Sequence, residues 1–182
     1  MQNCTDKLEF KFDNSADKLV SSLEYMLGHI SGCIPAGADT EDLLFRCKVI
    51  ITELLTNAIK HAGQSSTLFH IGMDEKKLVI CKTDNGLPLY LIDANHHQSV
   101  QDKPDHLKKL ISADPLSSLY ANWESENHIR FTSEEGSLDD FLSVEEVMEH
   151  FGILIITNSS SEFTYTYKKE TNANIFRVRI DF

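Results

Sequence analysis

Four polar side chains in the segment ITELLTNAIKHA, residues 51–62, have types suited to phosphate chemistry. They are Glu53, Asn57, Lys60 and His61, and their spacings of three and four residues place them along one side of a helix. An ionised glutamate can act as a general base on a hydroxyl group or a water molecule. An amide oxygen suits Mg²⁺, and the two basic groups suit phosphate oxygens. Together they could form a phosphoryl-transfer site.

The same segment is also typical of an ordinary amphipathic helix. Leu54, Leu55, Ala58 and Ile59 form an apolar stripe beside the polar line. Such helices usually turn their charged residues towards water. Taken alone, the helix therefore favours a solvated polar face, and the elements around it must decide between the two interpretations.

Composition limits the classes of protein to which the chain can belong. Its 182 residues, 41% of them hydrophobic, predict a single folded domain with a real core. A net charge of −11 argues against nucleic acid as the main partner, because phosphate binding needs a basic face. Cys47 and Cys81 lie in apolar runs and are expected to be buried free thiols. We see no signal peptide or membrane span, so a cytoplasmic location is expected.

Hydrophobic periodicity predicts the order β-α-α-β-β-(insertion)-α-β-β. That order predicts an α+β fold, a two-layer α/β sandwich with a mixed, mostly antiparallel sheet and helices on one face. Asp39 or Thr40 is expected to cap the second helix. The predicted elements outside the insertion are strand 7–13, helices to about 29 and over 40–62, strands 66–73 and 77–83, a short apolar element after Gly152, and a closing hairpin of EFTYTYKK and NIFRVRIDF.

The insertion, residues 89–149, differs in character from the rest of the chain. It contains 13 acidic and 4 basic side chains, a net charge of −9. A structureless loop of this length is unusual in a compact domain, so we expect a lid or insertion with structure of its own. Trp123 and Phe131 would form either an interaction surface or a small core within it.

Two motifs together resemble the ATP-binding domain of the GHKL (Bergerat-fold, histidine-kinase-like) superfamily. ELLTNAIKHA, residues 53–62, is similar to the N box of that superfamily. VICKTDNGLP, residues 79–88, stands where the first glycine box, Asp-x-Gly-x-Gly, belongs. Asp84 and Gly86 match that box, whereas Pro88 replaces its second glycine. The resemblance covers about residues 7–88 and 150–182 and looks closest to the stand-alone anti-sigma-factor serine kinases.

The resemblance implies ATP and Mg²⁺ as cofactors and gives each residue of the polar line a role. Glu53 would be the base that activates the attacking hydroxyl group. Asn57 would hold the Mg²⁺ ion that bridges the phosphates. Lys60 and His61 would lie near those phosphates.

The remaining implied site residues come from the glycine boxes. Asp84 would accept a hydrogen bond from the exocyclic amine of adenine, and Gly86 would let the backbone pass close to the base. The second glycine box aligns with HFGILI, where His150 replaces the first glycine and Gly152 remains. Those glycines let backbone N–H groups wrap the phosphates at a helix start. Asn174 stands in for the threonine of the last box, near Asp84.

The expected function is that of an ATP-binding regulatory protein similar to an anti-sigma-factor serine/threonine kinase. It would bind Mg·ATP and a protein partner, either a sigma factor or an anti-anti-sigma-like antagonist, and transfer the γ-phosphoryl group to serine or threonine. A homodimer is the assembly that the resemblance implies. The alternative is a degenerate GHKL-fold interaction module without nucleotide binding or catalysis, which Pro88, His150 and the acidic insertion favour. A fragment of a histidine kinase is a third option, although we see no phosphoacceptor helix.

A metal site or a nucleophilic serine is less well supported. Asp93, His96, His97 and His106 are close in sequence but match no ligand spacing. The serines of TNSSSEF, residues 157–163, show no partnered base.

Overall fold

Helices and strands occupy most of the chain that the structure describes. The computed structural model describes residues 7–61, 66–92, 97–99, 108–113, 117–135 and 144–182. The helices are α1 (Leu19–Cys33), which a short 3-10 turn (Ala16–Lys18) precedes, α2 (Thr40–His61) and α3 (Val144–Ser159). The strands are β1 (Lys7–Phe12), β2 (Thr67–Met73), β3 (Lys77–Asp84), β4 (Tyr90–Ile92), β5 (His97–Ser99), β6 (Lys108–Ala113), β7 (Ser117–Ser125), β8 (His128–Glu135), β9 (Glu162–Lys168) and β10 (Ala173–Asp181).

Helix α2, which carries the polar line, begins at a side-chain cap. The Asp42 backbone N–H donates to Asp39 Oδ1 at 3.1 Å, which satisfies a donor that the first turn leaves without a helical partner. The predicted cap at Asp39 is therefore confirmed. Apolar side chains at Leu43, Cys47 and Leu54 turn one face of α2 into the core. Cys47 is fully buried, and burial raises the pKa of its thiol to about 12.

The main sheet has eight strands in the order β1-β2-β3-β10-β9-β8-β7-β6, and β4 pairs separately with β5. Every strand pairing between described residues is antiparallel. The predicted closing hairpin is confirmed, since β9 pairs with β10. β10 also pairs with β3, so it lies in the interior of the sheet. This pairing brings Asn174 directly opposite Asp84.

The predicted fold class is wrong. The structure is a largely antiparallel eight-stranded sheet with three helices, and not a clear two-layer sandwich of a mixed sheet with helices on one face. The error arises in the acidic segment, which supplies β6, β7 and β8 to the main sheet. In β7, the buried residues Leu119, Ala121 and Trp123 alternate with less buried ones. The many charged residues of the segment make this strand pattern difficult to recognise in the sequence. The pattern of DHLKKLIS, residues 105–112, also predicts a short helix. That prediction is wrong where the structure describes the segment, because Lys108–Ala113 is a strand.

One hydrophobic core joins the first strands to those of the acidic segment. Trp123 and Phe131 are buried in the same core cluster as Phe69 and Leu54, so they are core residues, but of the main core and not of a small separate core within the segment. The Phe131 and Phe163 rings lie 5.0 Å apart, centroid to centroid, across the β8–β9 junction. Across the described residues, no helix combines the length and apolar character that a bilayer crossing requires.

Because β8 continues the main sheet, its side chains should contribute to the stability of the whole domain. Phe131 is 2% exposed, and replacing it with alanine should lower the free energy of unfolding by about 3–5 kcal/mol, through lost burial and a residual cavity. Chemical denaturation of the intact chain measures this. The control is Phe45→Ala, since Phe45 is 67% exposed and its loss should change stability by less than about 0.5 kcal/mol. Equal effects of the two variants would contradict the continuous core.

Candidate functional site

The end of β3 carries two charged side chains into the protein interior. Leu78, Ile80, Lys82 and Asp84 are buried, while the residues between them are only partly covered. Successive side chains of a strand point to opposite faces, so these four share the core face of β3. The predicted nucleotide residue Asp84 therefore lies in the protein interior with Lys82 beside it.

The Asp84 carboxylate accepts hydrogen bonds on both oxygens. Oδ1 accepts from the Gly86 backbone N–H at 3.0 Å and from Asn174 Nδ2 at 2.9 Å. Oδ2 accepts from Lys82 Nζ at 2.7 Å, and the side chains of this ion pair are only 3% and 4% exposed. The structure thus brings together three of the predicted site residues, Asp84, Gly86 and Asn174, and adds Lys82 to them.

Lys82 is a buried cation with two kinds of partner. Its ammonium group contacts the Asp84 carboxylate and lies 4.4 Å from the centroid of the Phe176 ring, within cation–π range. Burial lowers the pKa of Lys82, because it disfavours the charged form, while the Asp84 carboxylate acts in the opposite direction. A charge this deeply buried needs such a partner to remain in the fold.

Asn174 links the Asp84 network to the neighbouring strand and turn. Its Nδ2 group also donates to the carbonyl oxygens of Gly86 at 3.1 Å and Leu87 at 3.2 Å. Its Oδ1 accepts from the Tyr165 hydroxyl at 2.7 Å, and that hydroxyl accepts from the Leu89 backbone N–H at 3.0 Å. Burial raises the pKa of Tyr165 above its ordinary range, so the phenol stays protonated and remains a donor.

The polar line on α2 meets α3 at Gly152. A β-carbon added to Gly152 would lie 2.7 Å from Glu53 Oε2 and 3.7 Å from Asn57 Nδ2. The two helices are also joined where Arg46 Nε donates to the Ser159 carbonyl oxygen at 2.9 Å. The structure therefore brings together the predicted site residues Glu53, Asn57 and Gly152.

The remaining predicted residues lie at the edges of these two clusters. Lys60 and His61 are exposed in the last turn of α2. His150 lies in α3, two positions before Gly152. Pro88 is half-buried in the connection between β3 and β4. Cys81 was expected to be buried but is half-buried, and it is a free thiol like Cys47.

Within the described ranges, no three histidine, cysteine, aspartate or glutamate side chains converge as a metal site would require. The weakly supported candidates Asp93, His96 and His106 lie outside the described residues. His97 lies in β5.

Three further residues, Lys82, Tyr165 and Phe176, complete the Asp84 network, and none of them belongs to the motifs that predict the site. A signal was present for Lys82, because it lies two residues before Asp84 in an alternating strand and must share its face. Tyr165 and Phe176 are partners across β9 and β10, a register that periodicity alone does not provide.

Mg·ATP would have to displace parts of this arrangement. The Asp84 carboxylate accepts three hydrogen bonds and its side chain is 4% exposed, so an adenine amine could reach it only if the groups around it moved apart. Phosphates at Gly152 would need unpaired backbone N–H groups, which occur in the first turn of a helix. Gly152 lies well inside α3, where these groups bond to carbonyl oxygens of the preceding turn.

Comparison with known proteins adds no assignment. No family model matches the chain, and no curated protein matches it. The resemblance to the GHKL superfamily therefore stays a prediction that rests on the residues of the two motifs.

The buried ion pair leads to a stability prediction. Lys82→Met should lower the free energy of unfolding by about 3–5 kcal/mol, because it leaves the Asp84 carboxylate buried without its counter-charge. The control is Lys76→Met, which changes an exposed lysine in the preceding turn and should have an effect below about 0.5 kcal/mol. Denaturant titration at neutral pH measures both. A Lys82→Met protein as stable as the control would show that Asp84 does not depend on the ammonium group.

Contact between α2 and α3 can be tested with a double-mutant cycle. Gly152→Ala should raise the free energy of unfolding by about 1 kcal/mol, because alanine has the higher helix propensity. Displacement of Glu53 by the new β-carbon should cancel part of this gain. In a Glu53→Ala background that cancellation should disappear, which gives a coupling free energy of at least about 0.5 kcal/mol. Gly28→Ala serves as the control, since a β-carbon there meets nothing within 4 Å. Additive effects at Gly152 and Glu53 would contradict the close contact.

Proposed function

We propose that this chain is a regulatory protein of the GHKL type that acts by binding a protein partner and does not bind nucleotide. The observation that carries the proposal is the state of Asp84. Both of its carboxylate oxygens are bonded within the chain, one of them to a buried ammonium group. Three of the roughly four acceptor positions of the carboxylate are filled. Its side chain is only 4% exposed, so a nucleotide could reach it only by displacing the groups around it, which would then need new partners in the protein interior.

The contact between α2 and α3 supports the same proposal. Gly152 is close enough to Glu53 that a single added carbon would displace the carboxylate. Space for a triphosphate and a metal ion between Glu53 and α3 would therefore require α3 to move. The resemblance gives Glu53 and Asn57 roles in catalysis, but this geometry favours a role for them in holding α3 against α2.

Each of the same two helices carries an exposed aromatic residue that a partner could contact. Phe45 and Phe151 are 67% and 49% exposed. Each precedes a residue of the α2–α3 contact, Arg46 and Gly152 respectively. Aromatic side chains are enriched in the buried centres of protein interfaces. In this proposal the partner is a sigma factor or an antagonist of the anti-anti-sigma kind, and the complex acts in the cytoplasm, with a homodimer as the assembled form.

A Mg·ATP-dependent serine/threonine kinase is the second candidate. The observation that favours it is that the motif residues form two groups in the fold. Glu53 and Asn57 lie together beside Gly152, and Asp84 lies with Gly86 and Asn174. In that candidate, Lys82 and α3 would have to leave their present contacts before Mg·ATP binds.

Stability in the presence of Mg·ATP separates the two candidates. A ligand at 100 times its dissociation constant adds about 2.7 kcal/mol to the free energy of unfolding. We expect millimolar Mg·ATP to leave the denaturation midpoint of the wild-type chain unchanged. Any shift should be no larger than the shift that magnesium sulfate causes at the same ionic strength. The non-hydrolysable imido analogue of ATP should behave in the same way.

A midpoint that rises with Mg·ATP concentration would contradict the proposal and support the kinase. In that case Asn57→Ala should remove the magnesium dependence of the rise. Glu53→Ala should keep the rise but abolish phosphoryl transfer to a serine-containing partner.

A further inference from the structure

The surroundings of the Lys82 ammonium group have the chemistry of an organic-cation site. Asp84 Oδ2 supplies an anionic acceptor at 2.7 Å, and the Phe176 ring supplies an aromatic face 4.4 Å away. A carboxylate combined with an aromatic face is the arrangement that recognises ammonium ligands. Lys82 is 3% exposed, so its ammonium group is sheltered from water.

Asp84 is held in place for this contact by groups other than Lys82. Its Oδ1 atom accepts from the Gly86 backbone N–H and from Asn174 Nδ2, which leaves Oδ2 for the ammonium group. Asn174 is fixed in turn by the Tyr165 hydroxyl. Because none of these hydrogen bonds involves the lysine, we expect the acceptor to stay in place when the lysine is shortened.

We propose that these residues form a recognition site for a primary ammonium group and that the chain's own Lys82 is the ligand that occupies it. The inference goes beyond the proposed function, because it concerns the Asp84 network and names what fills it, whereas the proposed partner contacts lie on α2 and α3. Tethering gives Lys82 a high effective concentration at Asp84, so an amine in solution does not compete in the wild-type chain. The site becomes available to an external ligand only when the lysine side chain is removed.

Chemical rescue of Lys82→Ala tests the proposal. Alanine keeps Cβ, and the atoms that are lost correspond to propylammonium, which is the probe. At about five times its dissociation constant, propylammonium should raise the thermal midpoint of Lys82→Ala by about 2–4 °C. Potassium and tetramethylammonium chlorides at the same concentration should not, because neither donates an N–H hydrogen bond. Wild type and Lys76→Ala should not respond to propylammonium. Lys82→Ala/Asp84→Asn, which lacks the anionic acceptor, should lose the rescue.

Failure of the rescue would overturn the proposal, as would equal stabilisation by tetramethylammonium. If Lys82→Ala does not fold in buffer, its refolding yield in propylammonium against potassium chloride provides the same comparison. Brief acetylation of the native wild-type chain by acetic anhydride, read by mass spectrometry, gives an independent result. Exposed Lys76 should react while Lys82 stays unmodified, and equal reaction of the two would overturn the proposal.

The two proposals fail in different ways. If Mg·ATP leaves the wild type unchanged and propylammonium also fails, the ammonium site is wrong and partner binding without nucleotide stands. If Mg·ATP stabilises the wild type while propylammonium rescues Lys82→Ala, the ammonium site is supported and the proposed function is wrong.

Discussion

A buried ion pair between Lys82 and Asp84 is the interaction on which the centre of this structure depends. Placing two charges in the interior is unfavourable unless each has a partner and the remaining hydrogen-bonding groups are satisfied. Asn174 and the Gly86 backbone meet that condition for Asp84, and Phe176 shields the ammonium group. The turn after β3 and the middle of β10 are thereby fixed relative to each other.

Local features of the fold could be predicted, because they depend on neighbouring residues. The cap at Asp39, helix α2 and the closing hairpin follow from side-chain spacing and turn chemistry. The prediction that Asn174 lies near Asp84 rested instead on the resemblance of the motifs to a known family. No local pattern connects the two residues, because they are 90 positions apart in sequence. Lys82 was not predicted as a site residue, because lysine side chains are usually exposed to water. Its position in an alternating strand nevertheless places it in the protein interior.

The sheet extension shows why the fold class could not be predicted from charge and periodicity. The acidic residues that dominate the segment's charge include Glu124, Glu126 and Glu134, which are exposed. The buried positions between them carry the strand pattern, but nothing local specifies that β8 pairs with β9. That pairing depends on contacts such as Phe131 with Phe163, which form only when distant parts of the chain meet.

The interior position of β10 has a consequence for folding. Until β10 is in place, β3 has an open edge of unpaired backbone groups, and the carboxylate at its end lacks its Asn174 partner. Because β10 lies far from β3 in the sequence, this edge of β3 stays unpaired until most of the polypeptide has been synthesised. Closing so large a loop is entropically unfavourable and slows folding. While β10 is missing, such an edge can pair with other chains, which makes the unfinished chain prone to aggregation.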